Sequence, residues 1–124
     1  MVEFVNLPSK PEEFKVVQLF RRELPILLCG DFTKNHSAIL EAYLTGNTIR
    51  FDRTASKRTT GKLVPEPTGD GYRVVGFGTA EIDPMNHFFQ LPYGESFDYP
   101  LGANRDFNQL IKRTLQASGE NWEF

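Results

Sequence analysis

The heptapeptide Pro65-Glu-Pro-Thr-Gly-Asp-Gly71 constrains this chain's fold more than any other segment. Its prolines lack a backbone donor and its glycines loosen the main chain, so no helix runs through it. Asp-Gly favours the positive φ angles of a tight turn. The chain reverses here, and the second half is expected to be a set of antiparallel strands. Apolar runs elsewhere are short. The longest, around Pro25-Ile-Leu-Leu-Cys29, covers about five residues, far below the ~20 that a membrane-crossing helix needs.

Periodicity supplies the elements between the breaks. Val2–Val5 reads as a short edge strand or arm. Ser9-Lys-Pro-Glu-Glu13 has the form of a helix start, with Pro11 in the first turn and acids at the positive end of the dipole. Phe14, Val17, Phe20 and Leu24 follow at helical spacing, and Pro25 would end that helix. Phe14, Val16, Gln18 and Phe20 also alternate in a segment rich in strand formers, so a strand is the rival. Ile26–Cys29 is expected as a buried strand, followed by a turn over 30–35 and a helix from Asn35 to Leu44, with Gly46 as its left-handed cap.

Thr48–Thr54 and Lys62–Val64 predict strands, with Arg53–Gly61 as a loop or hairpin tip. Tyr72–Ile82 is the longest predicted strand, and Gly76 and Gly78 within it mark a bulge, a bend or a close neighbour. Met85–Leu91 predicts a further strand and 92–103 an irregular stretch. The last helix is the plainest: Asn104 caps it, Phe107, Leu110, Ile111 and Leu115 form one face, and Gly119 stops it. The expected architecture is α+β: one domain over residues 1–124, with about three helices packed on one face of a mainly antiparallel, bent sheet.

Charge is distributed unevenly over this frame. Arg50–Lys62 holds five bases and one acid, whereas Leu63–Ala103 holds one base, Arg73, against six acids. Clustered cations with hydroxyls suit an anion, because each oxygen can take a charge-assisted hydrogen bond. Arg53, Lys57, Arg58 and Lys62 are therefore the candidate anion-binding residues; the plain alternative is a solvated loop that blunts a sheet edge. The overall charge of −2 excludes a bulk electrostatic nucleic-acid binder, which is basic throughout. The single cysteine, Cys29, excludes an internal disulfide and a cysteine-based zinc site and fits a reducing compartment. Residues 1–14 have no basic n-region and no apolar h-region, so no secretory signal is read there. A cytoplasmic, membrane-free protein is expected.

Three further groups could carry chemistry. Cys29, Asp31 and His36 sit where a strand turns into a helix, but Cys29 also continues a run of buried aliphatics. Glu81, Asp83, Asn86 and His87 could run acid–base chemistry or could simply form a turn initiated by Asp83-Pro84. Asp31, Glu81, Asp83 and His87 are thus the candidate catalytic groups; no metal or cofactor is called for. Phe77, Phe88, Phe89, Tyr93, Phe97, Tyr99 and Trp122 crowd the C-terminal half and would line a pocket, form a subunit interface or fill the core. Residues 120–124 form an aromatic tail with Trp122 and Phe124.

No residue motif of a known family occurs in the chain. The expectation is a small non-catalytic binding or interaction protein. It would self-associate as a dimer or higher homo-oligomer, with the basic loop contacting an anionic small molecule or nucleic acid. The alternative is a small-molecule enzyme with an aromatic-lined pocket and a carboxylate–histidine acid–base pair.

Overall fold

A computed structural model describes residues Met1 to Phe124. Its elements, in order, are β1 (Glu3–Val5), β2 (Glu12–Arg21), β3 (Leu24–Asp31), α1 (His36–Gly46), β4 (Phe51–Ala55), β5 (Leu63–Pro67), β6 (Tyr72–Asp83), β7 (Phe88–Tyr93) and α2 (Arg105–Gln116). Five strands form one sheet in the order β1-β3-β2-β6-β7, and β4 and β5 form a separate ribbon. All pairings are antiparallel except β1 with β3. The domain is α+β with a mainly antiparallel sheet.

The helix expected from Ser9 to Leu24 is instead β2, the central strand. Phe14, Val16, Val17 and Leu19 are all fully buried, because β2 is covered on both faces. A strand buried on both sides loses its alternation and can mimic helical spacing. Arg21 pairs with Leu24, so the hairpin to β3 turns on Arg22 and Glu23 alone, with Arg22 at φ 54°.

The domain therefore has two helices, not about three, and they lie on opposite faces of the sheet. Phe14, Val16, Leu27 and Cys29 pack with Phe107, Ile111 and Leu115 of α2. The alternate residues Val17, Leu19, Ile26 and Leu28 pack with Ile39, Leu40 and Leu44 of α1. Each fully buried large apolar side chain contributes roughly 1.5–3 kcal/mol relative to exposure, so the double-sided core holds the sheet together.

Local signals elsewhere were followed with small shifts. Asp70 and Gly71 both take positive φ, 60° and 75°, as the Asp-Gly turn requires. β5 nevertheless runs on through Pro65 and Pro67, which a two-stranded ribbon tolerates because each strand has a free edge. Gly46 stays helical, and Thr48 takes the left-handed turn at φ 54°. Gly76 sits at a bulge: Gln18 pairs with Gly76 and Leu19 with Val74, leaving Val75 extra. The missing side chain leaves room for Gln18, whose Oε1 accepts from the Asn104 N–H at 2.7 Å and whose Nε2 donates to Asn108 Oδ1 at 2.8 Å. This buried amide ties the start of α2 to the central strand.

Candidate functional site: a pocket and its basic rim

The two halves of the charge asymmetry meet in the fold. Lys62 Nζ lies 2.8 Å from Asp98 Oδ1 and Arg58 Nη1 3.0 Å from Glu95 Oε2, while Arg53 Nη2 turns instead to Glu41 Oε1 of α1, 3.0 Å away. Arg58 also donates to the Ser96 carbonyl at 2.8 Å. Hydroxyls complete the seam. Ser56 Oγ donates to the Asp98 carbonyl at 2.6 Å, and Thr59 Oγ1 donates to the Phe97 carbonyl at 2.7 Å. The loop between β4 and β5 is thereby laced to residues 95–99. Of the four candidate anion-binding residues, Arg53, Arg58 and Lys62 have carboxylate partners, and Lys57 has none.

Asp98 is the hub of this seam and is buried. Its Oδ2 accepts from Ser37 Oγ at 2.6 Å and from the Ser37 N–H at 3.3 Å. Ser37 lies in the first turn of α1, whose flanking Asn35 makes no side-chain cap. Asp98 thus brings from a distant segment the acceptor and negative charge that a helix N-terminus usually finds locally. Burial pushes the Asp98 carboxyl up, but the hydrogen bonds from Lys62 and Ser37 outweigh it and hold the group below its ordinary range.

Beside this hub a cavity of about 370 Å³ opens between the β4–β5 ribbon, the start of β6 and residues 98–101. Val64, Val74, Phe77 and Tyr99 give it apolar walls, and Lys57 and Asp98 also line it. Phe77 and Tyr99 stack with centroids 4.2 Å apart and planes 11° from parallel. The Tyr99 hydroxyl donates to the Pro65 carbonyl at 2.7 Å, which fixes that ring to β5. His36 packs edge-on against Phe77, and its Nε2 donates to the Gly78 carbonyl at 2.9 Å. Burial lowers the His36 pKa, with only partial compensation from the Gly78 carbonyl, so the ring is neutral at pH 7.

None of Asp31, Glu81, Asp83 and His87 lines this cavity. Asp31 borders two other clefts, where its Oδ1 accepts from the Thr33 N–H and hydroxyl, bonds that lower its pKa. Glu81 is exposed on β6. Asp83 accepts from Asn86 and from the Met85 N–H within a turn, the Asn86 side chain contributing most to its lowered pKa. His87, at φ 50°, stands 3.4 Å from Glu120. Burial pushes the Cys29 thiol up, which leaves it a small core hydrophobe rather than a nucleophile. No three His, Cys, Asp or Glu side chains converge on a metal position.

The aromatic group divides as well. Only Phe77 and Tyr99 line the cavity. Phe89 is core, edge-on to Phe14. Phe88 is half-buried where the tail docks, while Tyr93 and Phe97 are exposed. The tail pairs with the edge of β7 in its own chain: the Glu123 N–H donates to the His87 carbonyl at 2.8 Å, and the Phe89 N–H to the Glu123 carbonyl at 2.9 Å. Trp122 lies against His87, with its buried Nε1–H unpartnered.

No protein-family model matches the chain, and no curated protein or solved structure matches it either. No helix is long and apolar enough to cross a membrane. The site thus rests on geometry. Lys57, Lys62, Phe77 and Tyr99 stand out in the sequence; Val64 and Val74 as walls and Asp98 as hub do not. The available signal for Asp98 was indirect: α1 begins with no acid in its first turn, and Asp98 is the last acid of the acidic stretch.

Proposed function

We propose that the protein is a non-catalytic small-molecule binder, with its site in the 370 Å³ cavity beside Asp98. The observation that supports this most is the division of the basic loop. Arg53, Arg58 and Lys62 are held by carboxylates, and Lys57, the cation left over, lies on the cavity wall. An apolar cavity with a few placed polar groups is the usual form of a ligand site. With most of the loop's charge neutralised internally, little is left to displace counterions from a polyanion, so a small anion is favoured over nucleic acid.

The enzyme alternative draws no comparable support. The carboxylate at the cavity is held ionised by Lys62 and Ser37, and the nearby imidazole lies behind Phe77. A homo-oligomer remains part of the reading, supported by Tyr93 and Phe97 at 50% and 78% exposure. Amide chemical-shift mapping with small aromatic fragments tests the binding site. Shifts confined to Val64, Val74, Phe77 and Tyr99 are expected. Shifts centred on the cleft at Gly30 and Asp31, or none, would refute it.

A further inference from the structure

We infer that the ligand is a flat aromatic monoanion, an aryl carboxylate, with its ring beside Tyr99 and its carboxylate on the Lys57 ammonium. The inference rests on the cavity being the binding site, as proposed above.

Charge sets the first limit. Lys62 is committed to Asp98 and Arg58 to Glu95. Arg73 also borders the cavity, but its guanidinium stacks 4.5 Å over Phe20, which packs with the α2 side of the sheet. Lys57 is then the one cation available, and the exposed acid Glu66 stands on the same rim. A single ammonium balances a single negative charge. A phosphate monoester, carrying about −1.5 to −2 near pH 7, would leave excess negative charge beside the exposed Glu66.

Shape sets the second. About 370 Å³ lies near the lower end of the ~300–1,000 Å³ usual for ligand clefts. The walls are rigid and planar: the Tyr99 ring is pinned by its hydroxyl and stacked on Phe77, and Pro65, Pro67 and Pro100 have little freedom to rearrange. Such pre-organised surfaces accept a flat ring at small entropic cost, and ring–ring contacts add to the gain from burial alone. The Tyr99 hydroxyl is already donated to Pro65, so it offers a ligand no proton.

The test uses the full chain and four naphthalene probes of matched ring: a carboxylate, a neutral alcohol, an ammonium and a phosphate ester. Affinities are measured by calorimetry or probe fluorescence at low and high salt. The carboxylate is expected to bind roughly fivefold tighter than the alcohol at low salt, with the gap closing as salt screens the rim. Lys57→Gln, at an exposed loop position, is expected to bring the carboxylate down to the alcohol and leave the alcohol unchanged. Equal affinity for all probes, tighter binding of the phosphate ester, or a carboxylate affinity unmoved by Lys57→Gln would overturn the ligand class while leaving the cavity as the site. Failure of every probe to bind, with no amide shift at Val64 or Tyr99, would overturn both.

Discussion

The Asp98 carboxylate and the Ser37 hydroxyl, 61 positions apart in the chain, meet at 2.6 Å in the fold. The contact fastens residues 95–99 to the N-terminus of α1, and Lys62 at 2.8 Å adds the β4–β5 ribbon to the same point. Tyr99 follows Asp98 directly and forms a cavity wall. The seam that uses up the basic loop's charge thus also positions the proposed site.

Replacing Asp98 by Asn keeps the shape and removes the charge. The substitution weakens the cap on α1 and leaves Lys62, whose side chain is 30% exposed, without its partner. A loss of about 2 kcal/mol is expected, above an ordinary cap loss and below that of a fully buried pair. Urea denaturation reads it directly. Because the groups share one network, the double variant Asp98→Asn/Lys62→Met should lose less than the sum of the singles. Strict additivity would contradict the shared hub.

Acid should destabilise the fold in two stages. His36 has a folded pKa below its unfolded value of about 6.5, so the unfolded chain binds the extra proton first, and stability falls as the pH drops below about 6.5. Asp98 also has a lowered folded pKa; its contribution is present above about pH 3.9 and is lost as the pH falls through the folded value. Denaturation midpoints measured from about pH 7 down to about pH 5 should decline in the native protein and stay flatter in His36→Gln. Parallel slopes would exclude His36 as the source.

Gly76→Ala should be costly where most glycine-to-alanine changes in strands are mild. The added methyl would meet Gln18 Oε1, with the Asn104 N–H 2.9 Å away. It would displace the amide that anchors α2, for an expected loss of about 2–3 kcal/mol in chemical denaturation. A neutral result would show that the amide bridge contributes little.

Trp122 supplies a test of the docked tail. Its ring packs on His87, but its buried Nε1–H has no acceptor. Trp122→Phe removes that orphan donor together with some area and should cost under about 1 kcal/mol, whereas Trp122→Ala should cost about 2 kcal/mol or more. Equal losses for both would mean that burial of the ring contributes nothing to docking the tail.

The parts of the fold that were legible in the sequence are those whose signals are local. α2 has its capping Asn104, whose Oδ1 accepts from the Phe107 N–H at 2.9 Å, and a single apolar stripe. The turn at Asp70-Gly71 needed no distant partner. β2 carries both helical and strand spacing in its sequence because both of its faces are buried, so its hydrophobic residues follow the demands of two layers rather than one period. The site divided in the same way. The charge imbalance around Lys62 could be seen, but which carboxylate meets which cation depends on a contact across tens of residues. Phe77 and Tyr99 were visible as aromatics among seven candidates, but nothing local separates them from Phe89, which the fold places in the core.

Native mass spectrometry of the protein purified from its own cells, with Val74→Trp filling the cavity as the control, tests the binding claim most directly. The account predicts a small mass excess on the native protein that denaturation removes and that the cavity-filled variant lacks. A bare chain, or a bare oligomer with no excess, would contradict it, as would an equal excess on both proteins.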